Sequence, residues 1–384
     1  MRPDAGMTRA ARVDLLRRIS ALVDSPVVVY ATGDRQGMES QIETAHAEVF
    51  QRHLRGIGDV DQLAVLLYTR GGSPSATLPI VNFLREHCRR LVVLAPSHIH
   101  SAGTLLAMGA DEIVMGRYAS LSPIDPTVAN GFNPVGPAGT GSPMPIQTED
   151  VMAFLEFAGS DDADEPLGMR RLVKHIHPLA LGNVQRSVKR IRRLARNMLR
   201  MHDSGRNHPD PEGLIAEMTT LTYSHRHTFS RREAAELGLQ VSDAHGELDE
   251  LLYEFLCELQ DDMQLDNAFD PVEIYENALV GPEDDDAPVP VPQRAAPEPV
   301  AVDDGVLVDV RIEQAYIETT ATCDAMVSRG AVALSGQSPG QSPGRPPARG
   351  AAGRRSRPEF RLTSRRWESA DTVTAPAGAL RRIG

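Results

Sequence analysis

The stretch LVVLAPSHIHSAGTLLAMGADEIVM (residues 91–115) carries the clearest structural signal, an apolar strand that runs through a polar turn into a small-residue helix. A second stretch of this form, LLYTRGGSPSATL (66–78), lies before it. Both apolar runs, and the earlier PVVVYAT (26–32), alternate with segments of helical pattern. Such alternation is typical of strands buried on both faces, so it predicts an α/β fold with a largely parallel buried sheet and outer helices.

The turns that follow these two strands contain the candidate functional residues. Gly71 and Gly72 allow a sharp backbone turn and leave an N–H group free to face a ligand. Ser101 stands at a helix N-terminus, where the helix field favours a developing negative charge, although serine is also a preferred N-cap residue. Neighbouring parallel strands would bring both turns to one sheet edge, where open α/β folds bind ligands. We therefore expect a nucleophile and an oxyanion hole to face each other there.

The composition of the 384-residue chain limits the protein classes to which it can belong. A hydrophobic content of 41% excludes a wholly disordered protein. No apolar run approaches the roughly 20 residues of a membrane-spanning helix and no signal-peptide core is present, so a cytoplasmic protein is expected. No metal or other cofactor is expected, because His225 and His227 lack a third ligand nearby and the cysteines are scattered. The cysteines are Cys88, Cys257 and Cys323.

The chain divides into three regions of different composition. Residues 1–24 contain an N-terminal amphipathic helix, and residues 25–263 contain the apolar strands, the two turns and further helices. Residues 264–384 are predicted to be a mostly disordered tail. Its first part is acidic and Pro-rich (264–304), and its last part is rich in Gly, Pro and Arg (335–384).

Three further segments have a predicted character. Residues 130–145 (NGFNPVGPAGTGSPMP) are too long for a turn and predict a loop or lid. The apolar residues 306–334 are expected to dock at a place that the sequence does not specify. Residues 178–201 form a helix with an arginine-rich face, which in an acidic protein is more often solvated than bound to nucleic acid.

Several motifs resemble a known family. TRGGSP, SAGTLLAMGADEIVM, LSPIDP and KHIHPLALGN look like signatures of the serine dehydrogenase proteinase family of the Clp/crotonase fold, in its order. HTFSRREAAELGLQVSD (227–243) is similar to a late module of the related Clp proteases and signal peptide peptidases. The resemblance covers roughly residues 25–260. It implies peptide-bond hydrolysis by Ser101, with the backbone N–H groups of Gly72 and Ala102 as oxyanion donors.

The general base is where the sequence departs from the Clp proteases. Their histidine is missing from SLSPIDPT (120–127), and their aspartate is missing from YSHRHTF (223–229). Signal peptide peptidases use a lysine, and the chain contains only Lys174 and Lys189. Lys189 lies among arginines on a helix, where a solvated charge is the simpler role. Lys174 lies among apolar residues, which could lower its pKa enough for it to act as the base.

Other polar residues remain as alternatives or neighbours. His175 and His177 are the rivals of Lys174, although His177 precedes a proline and could simply cap the helix. His98 and His100 flank the serine and either border the site or pack beside it. Asp125 could orient a base or cap a turn.

The leading hypothesis is a serine endopeptidase that forms an acyl-enzyme on Ser101 and acts on peptides or unfolded proteins. The rivals are a crotonase-type acyl-CoA hydratase or isomerase, and an inactive Clp-fold scaffold with charged interaction tails. The resemblance also implies a homo-oligomer, with contacts through residues 7–24 or 148–222. Contact of the basic tail with nucleic acid or an anionic membrane, which would make the protein peripheral to that membrane, is open on charge alone.

Overall fold

The computed structural model describes residues 8–124, 127–128, 131–133, 144, 146–147, 150–151, 153–154, 172, 174–221, 227–280, 306–334, 357–370 and 379–382. The strands are β1 (Val27–Thr32), β2 (Val60–Tyr68), β3 (Cys88–Ala95), β4 (His98–Ile99), β5 (Glu112–Met115), β6 (Ser120–Leu121), β7 (Thr127–Val128), β8 (Ile146–Gln147), β9 (Val241–Asp243), β10 (Val306–Glu318), β11 (Cys323–Leu334), β12 (Pro358–Ser369) and β13 (Ala379–Arg382). The helices are α1 (Thr8–Leu22), α2 (His46–Ile57), α3 (Pro74–Glu86), α4 (Ala102–Ala107), α5 (Pro178–Leu199), α6 (Asp203–Arg206), α7 (Pro211–Ala216), α8 (Arg231–Glu236), α9 (Glu247–Met263) and α10 (Pro271–Val280). A π-helical turn, Glu217–Leu221, follows α7.

One mixed sheet organises the described residues. Its strand order is β12-β11-β10-β1-β2-β3-β5-β9, and β13 pairs with β10. From β1 to β9 every neighbouring pair is parallel, whereas β10, β11 and β12 pair antiparallel. The prediction of a largely parallel sheet with outer helices is confirmed for the N-terminal half of the fold.

The parallel strands are buried on both faces because they are apolar along most of their length. Val29, Leu66 and Leu94 are register partners on β1, β2 and β3, and they belong to the core shared with α1 and α9. Val28 and Val65 alternate with them and belong to the opposite core, shared with α2 to α5. Because a hydrophobic core covers each face of the sheet, the carboxyl ends of the strands remain as the open edge at which the connecting loops meet.

The C-terminal region, for which a mostly disordered tail is predicted, is described in part. Its described residues form α10 and strands β10 to β13. The apolar piece 306–334 becomes β10 and β11, and β10 pairs with the outer edge of β1, where Val29 faces Glu318. β12 lies within the region 335–384 and extends the sheet beyond β11.

These residues form strands because their apolar side chains alternate with polar ones. The composition of the surrounding residues hides this periodicity in the sequence. In β10, Val308, Val310 and Ile312 alternate with polar residues and face one small core with Tyr275 of α10. The acidic, Pro-rich residues 281–304 lie outside the described residues.

The predicted loop at 130–145 is described only at residues 131–133 and 144. β7 and β8, which stand just before and after it, pair antiparallel. Among the residues that the structure describes, no helix has both the length and the apolar character to cross a membrane.

Candidate active site

The two predicted turns meet at the carboxyl edge of the sheet. β2 and β3 are adjacent, and the chain beyond them stays paired because Thr69 forms a parallel bridge with Ile99. The Thr69 N–H donates to the His98 carbonyl at 3.3 Å, and the His100 N–H donates to the Thr69 carbonyl at 3.0 Å. The expectation that both turns share one edge is therefore confirmed.

Ser101 occupies a strained elbow between β4 and α4. Its φ of 50° and ψ of −114° lie in a region that non-glycine residues rarely adopt. Although Ser101 holds the N-cap position of α4, its side chain makes no capping hydrogen bond. The capping explanation therefore does not account for the hydroxyl, which stays partly exposed at the sheet edge.

Gly71 and Gly72 are packed so tightly that neither position can accept a side chain. Gly71 has a φ of 113°, and a Cβ atom there would lie 2.7 Å from the Cβ of Ser101 and 3.2 Å from its Oγ. Gly72 has a φ of 142°, and a Cβ atom there would lie 2.4 Å from the backbone nitrogen of Ile42. The glycine turn is thus held between the elbow on one side and the segment before α2 on the other.

Two backbone N–H groups beside Ser101 are not used by the turn itself. Gly71 accepts a hydrogen bond from Ile42 N–H at 2.8 Å, and Ser73 N–H donates to the Ile42 carbonyl at 2.8 Å. Within the described chain, the N–H groups of Gly72 and of Ala102 donate to no acceptor. These are the two amides that the family resemblance implies as oxyanion donors.

Ser122 supports the elbow by accepting a hydrogen bond from its backbone, and the sequence did not predict this role. The Ser101 N–H donates to Ser122 Oγ at 2.8 Å. Ser122 is buried, and its own N–H donates to Thr104 Oγ1 at 3.1 Å, while Thr104 Oγ1 donates to the Ile99 carbonyl at 2.9 Å. The signal was present in LSPIDP, where a serine follows the short strand that pairs with β4.

A polar cluster built on Asp34 lies next to the elbow. Asp34 accepts hydrogen bonds from the Tyr68 hydroxyl at 2.8 Å and from Arg70 Nε at 2.6 Å, and His98 Nε2 is 3.5 Å from it. Burial would raise the pKa of Asp34, but the hydrogen bonds from Arg70 and Tyr68 bring it below its ordinary value. His100 Nε2 is 3.0 Å from Ser120 Oγ.

The two histidines of this cluster are neutral at physiological pH. Burial, together with the positive charge of Arg70, lowers the pKa of His98 to about 3 and that of His100 to about 4. Their ring centroids are 5.1 Å apart, and His98 is buried whereas His100 is partly exposed.

The structure does not bring the predicted bases to Ser101. Lys174 and His175 are exposed, so the apolar surroundings expected for Lys174 are not found in the single chain. Lys174 makes no hydrogen bond to Ser101 in the described part of the chain. His177 caps α5 by accepting the Leu179 N–H at 3.2 Å, as its position before a proline suggested.

The remaining candidates lie apart from the site. Lys189 is exposed on α5, as expected for a solvated charge. Asp125 and His225 lie outside the described residues, and His227 is 4.0 Å from Glu233. In the regions that the structure describes, no cluster of three or more His, Cys, Asp or Glu side chains could hold a metal ion.

Comparison with known families agrees with this geometry. Residues 8–135, which contain both turns and Ser101, match the profile of the ClpP-like SDH-type serine proteinases. The resemblance to serine dehydrogenase proteinases is therefore confirmed, and so is the α/β, Clp/crotonase-like fold. The elbow and the glycine turn both fall inside the matched segment.

Two archaeal proteins and several solved structures are similar to this chain. The uncharacterised protein MJ0137 of Methanocaldococcus jannaschii is 23% identical over 238 residues, covering 60% of this chain and 73% of its own. The uncharacterised protein MJ1495 of the same organism is 36% identical over 64 residues, covering 17% of this chain and 22% of its own.

The solved structures share less sequence identity with this chain, and their TM-scores are low. A mutant of the 1510-N membrane-bound stomatin-specific protease has a TM-score of 0.34 at 15% identity, covering 61% of this chain and 85% of its own. A mutant of ClpP1 from Listeria monocytogenes has a TM-score of 0.28 at 14% identity, covering 61% of this chain and 99% of its own.

Proposed function

We propose that this chain is a serine endopeptidase in which Ser101 is the nucleophile. The observation that carries the proposal is the uncapped Ser101 hydroxyl on a strained strand-to-helix elbow, beside the unused N–H groups of Gly72 and Ala102. A hydroxyl that merely capped a helix would need neither the strain nor the two adjacent donors.

The chemistry follows from where these atoms lie. Ser101 Oγ attacks the carbonyl carbon of a peptide bond and passes its proton to a base, and the carbonyl oxygen becomes an oxyanion. The N–H groups of Gly72 and Ala102 stabilise that oxyanion. Collapse of the intermediate releases the amine and leaves an acyl-enzyme, which water then hydrolyses. Loss of one such donor typically costs on the order of 100- to 1000-fold in rate.

Lys174 is the proposed base, with His175 as the alternative because His177 is already used as a cap. A lysine removes a proton near neutral pH only when burial lowers its pKa, and Lys174 is exposed in the single chain. We therefore link the base to a second proposal, that the protein is a homo-oligomer whose contacts near the start of α5 exclude water from Lys174. A monomer in light scattering at working concentration would contradict this link.

The proposed substrates are peptides or unfolded protein segments, and the proposed location is the cytoplasm. The rival scaffold hypothesis gains from the absence of any base in contact with Ser101 among the described residues. It predicts a serine without reactivity, which distinguishes it from the peptidase.

Intact-mass spectrometry after incubation with a broad serine-reactive phosphonate tests the proposal. Wild type should gain one adduct, and Ser101→Ala should gain none. Lys174→Ala should also lose the adduct, whereas the matched variant Lys189→Ala should keep it, because Lys189 is an exposed lysine of the arginine-rich helix. An adduct that survives Lys174→Ala moves the base to His175. Absence of an adduct on wild type contradicts the peptidase and favours the scaffold.

A further inference from the structure

Arg70 lies at the start of the glycine turn, and a hydrogen bond from its Nε atom to Asp34 fixes its side chain. It directly precedes Gly71, the glycine that packs against Ser101. Arg70 Nε donates to Asp34 Oδ2 at 2.6 Å, and Asp34 is in turn held by the Tyr68 hydroxyl at 2.8 Å. The Asp34 side chain is only 18% exposed, so the anchor is a largely buried carboxylate with its own support.

The rest of the Arg70 guanidinium faces outward. Its side chain is 54% exposed, and its two terminal nitrogens donate to no acceptor in the described parts of the chain. Asp266 lies near enough to raise the pKa of Tyr68, but no ion pair joins Asp266 to Arg70 within 4.0 Å there. Four N–H groups of one guanidinium are therefore available to a bound molecule.

Arg70 also carries a positive charge that acts on residues next to the elbow. Burial first, and then the charge of Arg70, lowers the pKa of both His98 and His100, the residues that lead into Ser101. Both histidines are neutral, and Arg70 binds Asp34 only through Nε, so the terminal N–H groups of the Arg70 guanidinium remain as donors at this point of the sheet edge.

We infer that Arg70 is a specificity-determining residue that binds a carboxylate of the peptide substrate beside the scissile bond. The inference rests on the proposed peptidase function and names its substrate class, peptides with a negative charge near the cleavage site. A guanidinium fork matches a carboxylate in plane and can donate two parallel hydrogen bonds. Because Asp34 already holds the Nε end, binding costs less side-chain ordering than it would for a free surface arginine.

Such a carboxylate has two sources, the side chain of Asp or Glu and the free C-terminus of a short peptide. The first would make the protein an endopeptidase that prefers acidic sequences. The second would favour cleavage close to the end of a peptide.

Peptidyl phosphonates that carry Glu or Gln next to the reactive group test the inference, because the two probes react at Ser101 in the same way and differ only in the neighbouring side chain. Wild type should be labelled faster by the Glu probe than by the Gln probe, by roughly tenfold. In Arg70→Gln the ratio of the two labelling rates should fall to about one. In Arg70→Glu a probe that carries Lys should label faster than the Glu probe. Peptides with a free or an amidated C-terminus, used as competitors against a neutral probe, distinguish the two sources of carboxylate.

The matched control is Arg117→Gln, which removes an exposed arginine that pairs with Asp249 at 3.6 Å beyond the carboxyl end of β5. This variant should keep the wild-type ratio. Equal labelling of wild type by Glu and Gln probes, with no advantage for a free C-terminus, would overturn the inference while leaving the peptidase intact. The same holds if the Glu preference survives Arg70→Gln. No labelling of Ser101 by any probe would remove both proposals together.

Discussion

At the scale of single residues, the site depends on a backbone that has no room to relax. A Cβ atom at Gly71 would meet Ser101 and one at Gly72 would meet Ile42, so two glycines set the distance between the proposed oxyanion donors and the proposed nucleophile. A side chain at Gly71 would meet both the 2.7 Å contact and a φ of 113°, neither of which an L-residue tolerates.

Gly71→Ala is therefore expected to slow phosphonate labelling of Ser101 by on the order of 100-fold, because it displaces the elbow relative to the glycine turn. Gly56→Ala is the control, since a Cβ atom there meets nothing within 4 Å in the exposed part of α2. That control should label normally and gain up to about 1 kcal/mol of stability from helix propensity. Labelling of Gly71→Ala at the wild-type rate would show that the packing at Gly71 does not control the site.

At the scale of elements, β12 is held to the fold through a buried histidine. His46 of α2 shares a 2.7 Å hydrogen bond with Tyr30, and its ring packs edge-on against Trp367 of β12 at 5.0 Å. Burial, with a contribution from the charge of Arg365, lowers the pKa of His46 to about 4. The neutral ring thus belongs to the folded state, and protonation opposes the packing of β12 on α2.

The sign of the pH dependence follows. An unfolded histidine titrates near 6.5, so the stabilising effect of the neutral His46 is complete above that pH and is lost as the pH falls toward 4. At pH 5 the loss from this one group is roughly 2 kcal/mol. Trp367 is the only tryptophan, so its emission between pH 6.5 and 5 should report the loosening directly. His46→Phe should flatten that profile, and an unchanged profile in His46→Phe would assign the transition to another group.

The elements also show what the sequence could and could not predict. The parallel strands and the elbow were predictable because continuous apolar runs and the glycine and serine turns are local signals. β10 and β12 were not, because their pairing depends on contacts with residues far away in the chain and their flanks are rich in Pro and Gly. The surroundings of Lys174 were not predictable either, because exposure depends on which face of a helix meets the core.

At the scale of the whole molecule, a buried ion pair joins the N-terminal helix α1 to the strand β10. Arg12 of α1 donates through Nε to Glu318 of β10 at 2.8 Å across 306 residues, and it also pairs with Asp262 of α9. Both side chains of the first pair are almost fully buried, and the Arg12 guanidinium lies 4.7 Å from the ring centre of Tyr316.

Arg12→Met should lower the free energy of unfolding by about 3–5 kcal/mol, because the fully buried Glu318 carboxylate keeps only Arg9 and Asp262 also loses its partner. Arg18→Met removes an exposed arginine of the same helix, paired with Glu247 at 3.1 Å, and should cost less than about 1 kcal/mol. Urea unfolding of the two variants measures the difference. A similarly small decrease in the free energy of unfolding of both variants would mean that packing, and not this ion pair, joins α1 to β10.

The pairing of β1 with β10 also has a consequence for synthesis. β1 leaves the ribosome before its antiparallel partner, which follows roughly 300 residues later, and at about 5–20 residues per second this delay is about 15–60 s. During that interval the apolar outer edge of β1 has no strand beside it, and open edges of this kind recruit strands from other chains. The nascent N-terminal half is thus most exposed to misassembly before the C-terminal strands arrive to close the sheet.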